Sequence, residues 1–218
     1  YTYGTGNRLE RAVYDGSSLY GDYVYTYGAN SAVKTVKVND STLLSYRYDT
    51  LGRRIQPHIG SDVNAHYVYK NGSGGENATS TLVSTLVYPD RQYHFTYAKS
   101  RAILSVERVQ GSDTKTTTYA YDSMDQLIRE DNPFAGKTYV YTYDLGGNLL
   151  TKTTYAYTQP QTAPTHPLSV VTYGYASEWH DLLTSYDGSP ITHDEIGNPL
   201  SYRGSTFVWD GRQLTQAT

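Results

Sequence analysis

The stretch Tyr46-Arg47-Tyr48-Asp49-Thr50-Leu51-Gly52-Arg53-Arg54-Ile55 narrows what this chain can become more than any other part of it. Aromatics at i and i+2 share a face only in an extended strand, where side chains alternate. The aspartate behind them accepts backbone N–H bonds from residues further on, and Gly52 supplies the positive φ that ends a type I turn in a longer hairpin loop with a bulge. Arg53, Arg54 and Ile55 resume the returning strand. The stretch therefore reads as strand end, turn and strand start.

The pattern recurs along the chain. Aligned on the second aromatic, the copies fall at Tyr3, Tyr27, Tyr48, Tyr97, Tyr121, Tyr143 and His193, with a shortened copy at Trp209. The residues expected to carry the repeat are Tyr46, Tyr48, Asp49, Gly52 and Arg53, then Tyr121 and Asp122. Tyr141, Tyr143, Asp144, Gly147 and Asn148 follow, and then Asp194, Gly197 and Asn198. Trp209, Asp210 and Gly211 close the series, and the Asp-Gly pair there predicts a two-residue connection of type I′. Asn7 and Asp125 stand where other copies have Gly, and these residue types tolerate left-handed φ best after glycine. Ser31 and Arg101 occupy the same position at a conformational cost, so different turns are expected there. An aliphatic residue six or seven places after the aromatic, such as Leu9, Val33, Ile55, Leu127 or Leu200, is expected to re-enter the core.

No stretch carries the 3.6-residue period of a long helix. Hairpins are expected at Val33–Val38 with Leu43–Tyr48 through Asn39-Asp40-Ser41, and at Leu82–Tyr88 with Gln92–Tyr97 through Pro89-Asp90-Arg91. Asp15-Gly16-Ser17-Ser18, Asn71 to Asn77, Asp131 to Gly136 and the proline-bearing run Gln159 to Pro167 read as turns or loops. The whole of 1–218 is expected to be one continuous array, as repeats argue for a single solenoid-like piece.

Composition sharpens this reading. Tyrosine occurs 25 times against three Phe and two Trp. Triplets such as Tyr23, Tyr25 and Tyr27, or Tyr139, Tyr141 and Tyr143, share a face and build cross-strand ladders, each pair adding about 0.2–1 kcal/mol. Tyrosine keeps its hydroxyl near water while burying ring area, which suits a thin sheet that is wet on one side. A net charge of −3, a pI near 6.1 and the absence of a basic cluster lack the footprint of a nucleic-acid binder. The chain has no cysteine, so disulfides and thiol catalysis are excluded. No apolar run is long enough to span a membrane as a helix.

With these residues in hand, the chain resembles the tyrosine-aspartate (YD) repeats of Rhs proteins. The carriers are Tyr46 to Arg53, Tyr141 to Leu149 and Asp194 to Leu200. The same repeat occurs in bacterial wall-associated proteins, insecticidal toxin-complex shells and animal teneurins. The resemblance implies an all-β fold of antiparallel hairpins in a twisted, spiralling sheet, here an internal slice of a hollow shell. It implies a secreted or cell-surface location, with the shell enclosing a C-terminal toxin or effector in the bacterial members. The expected partners are flanking repeats of the same parent chain, an enclosed effector and, through the sheet edges, further copies of the segment. The chain opens inside a repeat at Tyr1-Thr2-Tyr3-Gly4, so any export signal is expected upstream.

Enzymatic readings find little support in the residues. His180-Asp181 and His193-Asp194-Glu195 place imidazoles beside carboxylates, but neighbours on a strand point to opposite faces, so adjacency does not make a site. Recurrence of Asp49, Asp122, Asp144 and Asp194 at equivalent positions argues for turn chemistry, and the Asp-x-Asp spacing of a calcium loop is missing. Asn39-Asp40-Ser41 and Asn77-Ala78-Thr79 match a glycosylation sequon, a three-residue pattern of low specificity. A structural segment with no catalytic residue, cofactor or metal is the expectation. The alternative is a surface module that binds glycans or proteins through exposed tyrosines, and burial of the rings discriminates the two.

Overall fold

The computed structural model describes residues 1–16, 19–28, 30–60, 63–72 and 78–218. Of the turn expected at Asp15-Gly16-Ser17-Ser18 and the loop expected at Asn71 to Asn77, Asp15, Gly16 and Asn71 end strands instead, while Ser17-Ser18 and Ser73 to Asn77, with Asn77 of the second sequon, lie outside the described residues. Among the described residues the secondary structure is β throughout, with no helix.

The strands form two sheets, and within each they hydrogen-bond to their chain neighbours in sequence order. One sheet holds β1 (Thr2–Tyr3), β2 (Leu9–Gly16), β3 (Leu19–Tyr27), β4 (Val33–Val38), β5 (Ser41–Tyr48), β6 (Arg54–Ile59) and β7 (Val63–Asn64). The second sheet opens with β8 (His66–Asn71), β9 (Thr79–Val87), β10 (Gln92–Tyr97), β11 (Ile103–Gln110), β12 (Asp113–Tyr121), β13 (Leu127–Asn132) and β14 (Lys137–Tyr143). It continues through β15 (Leu149–Ala156), β16 (Ser169–Tyr175), β17 (Leu183–Tyr186), β18 (Ser189–His193), β19 (Pro199–Tyr202), β20 (Ser205–Asp210) and β21 (Gln213–Ala217). The chain forms two compact units, residues 1–96 with 106–114 and residues 97–105 with 115–218.

Within each unit the same irregularity repeats. Tyr48 faces Arg54 while Arg47 faces Gln56, so Ile55 is an extra residue on the returning strand. Ile128, Leu150 and Leu200 are extra in the same way, opposite Ala120/Tyr121, Thr142/Tyr143 and Thr192/His193. A bulge at each aromatic adds local twist and re-aims the strand. Of the aliphatics expected to re-enter the core, Leu200 is 38% exposed, whereas Leu9, Val33, Ile55 and Leu127 are half-buried. Arg54 and Pro199, not the aliphatics, stand opposite the aromatic.

The core is thin. Val36 and Ala65 are the buried hydrophobic residues among those described. Tyr23, Tyr25, Tyr27, Tyr139, Tyr141 and Tyr143 are half-buried, as a single sheet with wet hydroxyls requires. The residue between the paired aromatics lies on the other face and builds a polar ladder there. Thr26 meets Thr35, Thr142 meets Thr151 and Thr192 meets Ser201, each pair at 2.6 Å between hydroxyl oxygens.

Two-residue turns close the opposite ends of several hairpins. Asn39 and Asp40 have φ of 47° and 67°, Asp187 and Gly188 of 51° and 74°, and Arg203 and Gly204 of 48° and 86°. Positive φ at both central residues is the type I′ signature. The predicted Asn39-Asp40 hairpin is thus present, whereas the turn near the C-terminus differs from its prediction. Asp210 pairs with Gln213, leaving Gly211 and Arg212 as the central residues, and of these Gly211 has positive φ, 58°. Glycine first, followed by a residue of negative φ, fits type II′. Asp131 and Asn132, expected in a loop, end strand β13 instead.

Candidate functional site: the repeated tyrosine-aspartate turn

Each full copy of the motif is a three-residue loop closed by backbone bonds. The Asp49 amide donates to the Arg53 carbonyl at 2.9 Å, and the Gly52 amide donates back to the Asp49 carbonyl at 3.0 Å. Asp122, Asp144 and Asp194 make the same pair of bonds with Gln126 and Asp125, Asn148 and Gly147, and Asn198 and Gly197. Gly52, Gly147 and Gly197 adopt φ of 77°, 88° and 86°, and Asn7 and Asp125 adopt 57° and 59°.

The aspartate holds the loop from inside. Its Oδ1 accepts two backbone amides: those of Leu51 and Arg53 for Asp49, and of Gly146 and Asn148 for Asp144. Met124 and Gln126 serve Asp122, and Ile196 and Asn198 serve Asp194, in the same way. Its Oδ2 accepts the side chain four residues on, from Arg53 at 2.6 Å, Gln126 at 2.9 Å, Asn148 at 2.8 Å and Asn198 at 2.7 Å. Both carboxylate oxygens are therefore committed to the turn, which leaves them poorly placed to ligate a cation.

All four carboxyls are held below the ordinary range. For Asp122 the leading cause is the Gln126 amide, and for Asp144 it is the Asn148 side chain. For Asp49 and Asp194 desolvation is the largest single influence and pushes upward, but the hydrogen bonds from Arg53 and Leu51, and from Asn198 and Ile196, together outweigh it.

Further bonds join these turns to their neighbours. The side chain four residues after the aspartate reaches forward: Asn148 Nδ2 donates to the His180 carbonyl at 3.0 Å, and Asn198 Nδ2 to the Gly211 carbonyl at 2.7 Å. Arg53 donates to the Ser80 carbonyl and lies 4.3 Å from the centre of the Tyr69 ring. The aromatic before the aspartate reaches backward. Tyr48 Oη donates to the Val33 carbonyl at 2.7 Å, Tyr121 to Ile103 at 2.8 Å and Tyr143 to Leu127 at 2.8 Å. Trp209 does the same through Nε1, to Pro199 at 2.7 Å. The acceptor in each pairing is a strand residue just after the preceding turn, so each of these four repeats is fastened to the one before it.

The outer aromatics complete the constellation. Tyr46 packs on Tyr48 at 6.4 Å and under the Arg54 guanidinium at 4.1 Å. Burial, followed by the nearby Glu130 carboxylate, pushes the Tyr141 phenol up to about 12. Burial likewise raises Tyr69, Tyr97, Tyr119, Tyr121, Tyr143, Tyr173 and Tyr175. Asp210 differs from the other motif aspartates, because a two-residue turn offers it no loop to cap.

Ser31 and Arg101 correct the sequence reading. Both take positive φ, 61° and 78°, and their amides donate to Gly28 and Ala98 as in every other copy. The flanking ladder and bulge impose the turn, overriding a local cost of about 1–2 kcal/mol.

The structure also contains a polar cluster that the sequence reading missed. Asp131 is 3% exposed and Thr138 fully buried. Asp131 accepts from Arg129 Nε at 2.9 Å and from Thr138 Oγ1 at 2.8 Å, while Arg129 Nη2 donates to Thr158 Oγ1 at 3.0 Å. A buried carboxylate requires such a partner. The cluster pins the start of the Gln159–Pro167 segment. Its members come from two strands and a loop, so no spacing in the sequence announces it. His180 is exposed and His193 half-buried at an aromatic position. Among the described residues, no three His, Cys, Asp or Glu side chains come together as a metal-binding group.

No family model matches the chain, and comparison with curated proteins gives no significant match. Solved structures do match. The Photorhabdus luminescens Tc holotoxin pore superposes with a TM-score of 0.64 at 16% identity, over 91% of this chain and 11% of that one. The TcdB2-TccC3-TEV crystal structure gives 0.60 at 13% identity over 88% of this chain and 12% of that one. TcdB2-TccC3 without its hypervariable C-terminal region gives 0.59 at 13% identity over 89% and 12%. The chain thus spans about a ninth of the proteins that it matches. It has the antiparallel β fold of these toxin-complex structures, one of the groups to which the sequence resemblance pointed.

Proposed function

We propose that this chain is a non-enzymatic structural segment of a larger secreted or cell-surface YD-repeat protein of the Rhs kind. In that parent the repeats run as one continuous array, flanking repeats extend the sheet, and the spiral closes into a shell around a C-terminal toxin or effector. The observation that carries the reading is the fastening of turns to their neighbours, forward and backward at the Asp144 turn, from Asn148 to His180 and from Tyr143 to Leu127, and likewise at the Asp49 turn. These bonds occupy backbone carbonyls, and the turn cages occupy the aspartate oxygens, that a catalytic centre would need free. They propagate to any number of repeats.

The covered rings favour this reading over glycan recognition. Tyr1, Tyr3 and Tyr14 are exposed, whereas the other tyrosine side chains that the structure describes are partly covered. Stacking on a sugar needs an open ring face. The test is electron microscopy of the parent protein with limited proteolysis. A hollow particle that protects an internal C-terminal segment is the expected result. An extended stalk with every segment equally cleaved would overturn it, as would a compact monomer of the segment alone that binds glycan through its tyrosines.

A further inference from the structure

The turns joining β12 to β13, β14 to β15, β16 to β17 and β18 to β19 lie at one end of their strands, because consecutive antiparallel hairpins alternate ends. They span residues 122–126, 144–148, 176–182 and 194–198, and none contains Lys or Arg. Each presents a large apolar side chain to solvent. Met124 is 63% exposed, Leu145 fully so, Trp179 44% and Ile196 46%. Beside them stand Asp125, Glu178, Asp181 and Glu195, all exposed and none in an ion pair among the described residues. The turn aspartates 122, 144 and 194 use their oxygens internally, but these four carboxylates do not.

From this juxtaposition we infer that the rim is a docking surface for a cationic amphipathic helix of a partner protein, with apolar residues at every seventh position. Successive turns on one rim are two strands apart, about 9.6 Å. Seven helical residues rise about 10.5 Å, so one apolar residue per two turns of helix meets one apolar tip per hairpin. Lys or Arg beside that stripe then meets the carboxylates. Over these four turns, which lie between a turn with Lys99 and Arg101 and one with Arg212, charge selects the partner, since an anionic lipid surface or nucleic acid is repelled by the four carboxylates. The rim is also pre-formed. Asn148 and Asn198 tie neighbouring turns together, and the Trp179 ring covers Gly197 so closely that a Cβ there would lie 2.6 Å from it.

The test is fluorescence anisotropy with a synthetic labelled helix carrying Leu at every seventh position and Lys on both flanks. The comparison peptides are the same helix with Glu for Lys, and with Ser for Leu. Binding by the first peptide alone, weakening as salt rises, is expected. The pair Asp181→Lys and Glu195→Lys should lower affinity at least tenfold, and Met124→Ser with Leu145→Ser several-fold. Thr165→Lys, in the loop at the other end of the strands, should change nothing, and circular dichroism should show every variant folded. Equal binding of the Leu-to-Ser peptide, indifference to the rim variants, or a rim occupied by a second copy of this chain in sedimentation would each overturn the inference.

Discussion

The loops at Asp144–Asn148 and Ala98–Ala102 have the same backbone and almost nothing else in common. Both close with an amide of the first residue donating to the carbonyl of the last, at 3.0 Å and 2.9 Å. Both return an amide from the fourth residue to the first carbonyl, at 3.2 Å and 3.1 Å. In the first loop a carboxylate gathers two amides and a side chain, and glycine takes the left-handed position. In the second there is no carboxylate, and Arg101 is held at φ 78°. The tyrosine-aspartate motif is therefore a stabiliser of a turn that strand register has already fixed. Gly28–Ala32, with Ser31 at φ 61°, repeats the lesson in the other unit.

The largest effect that separates motif from register is expected at Gly197. Gly197→Val adds left-handed strain to a collision with the Trp179 ring and should destabilise by about 2 kcal/mol or more. Gly147→Val meets only Gln126 Oε1, at 3.4 Å, and should lose less, about 1–2 kcal/mol. Denaturant midpoints of the two variants measure the difference, and equal losses would show that the ring yields freely.

Removing the carboxylate comes next. Asp144→Ala strands two amides and the Asn148 side chain and should lower the midpoint by less than Gly147→Val does. Ala98→Asp is the converse and should raise the midpoint. If neither moves it, the carboxylate does not stabilise the turn.

Tyr143→Phe removes the bond to Leu127 while keeping the ring, and about 1 kcal/mol is expected in the same denaturant series.

Titration tests both groups at once. The Asp144 carboxyl is lowered in the folded state, so its stabilisation is present above the ordinary value of 3.8 and is lost as pH falls through the lower folded value. Tyr141 is raised, so its contribution is present below 10 and is lost as pH climbs towards about 12. Melting midpoints against pH should fall at both ends, and Asp144→Ala should make the acid limb shallower by that group's share while leaving the alkaline limb unchanged. The smallest effect is a gain, since Ser31→Gly relieves left-handed strain at the cost of an exposed 3.2 Å bond from Arg8 and should stabilise by under about 1 kcal/mol. A lower thermal midpoint would mean that the Arg8 bond outweighs the strain.

The loops that carry Asp49, Asp122, Asp144 and Asp194 were legible because their chemistry is local, with the whole cage lying within five residues. The I′ turn at Asn39-Asp40 was legible for the same reason. The Arg129–Asp131–Thr138–Thr158 cluster was not, because register between strands, and no interval along the chain, brings those side chains together. The rim of Met124, Leu145, Trp179 and Ile196 was hidden likewise. Each is an unremarkable turn residue until hairpin order sets the four side by side.

The sequence by itself determined that the chain is a β-hairpin array, where its caged turns fall and which rings share a face. Periodicity of two, aspartate capping and glycine φ act over a few residues and need no distant partner. Tertiary structure alone decided that Ser31 and Arg101 turn as glycine does, that Pro199 rather than Leu200 stands opposite His193, and which carbonyl each tyrosine hydroxyl reaches. Those outcomes depend on cross-strand pairing and, at Tyr27, Tyr48, Tyr121, Tyr143 and His193, on a bulge, where ladder hydrogen bonds summed over neighbouring strands override the preference of any single residue.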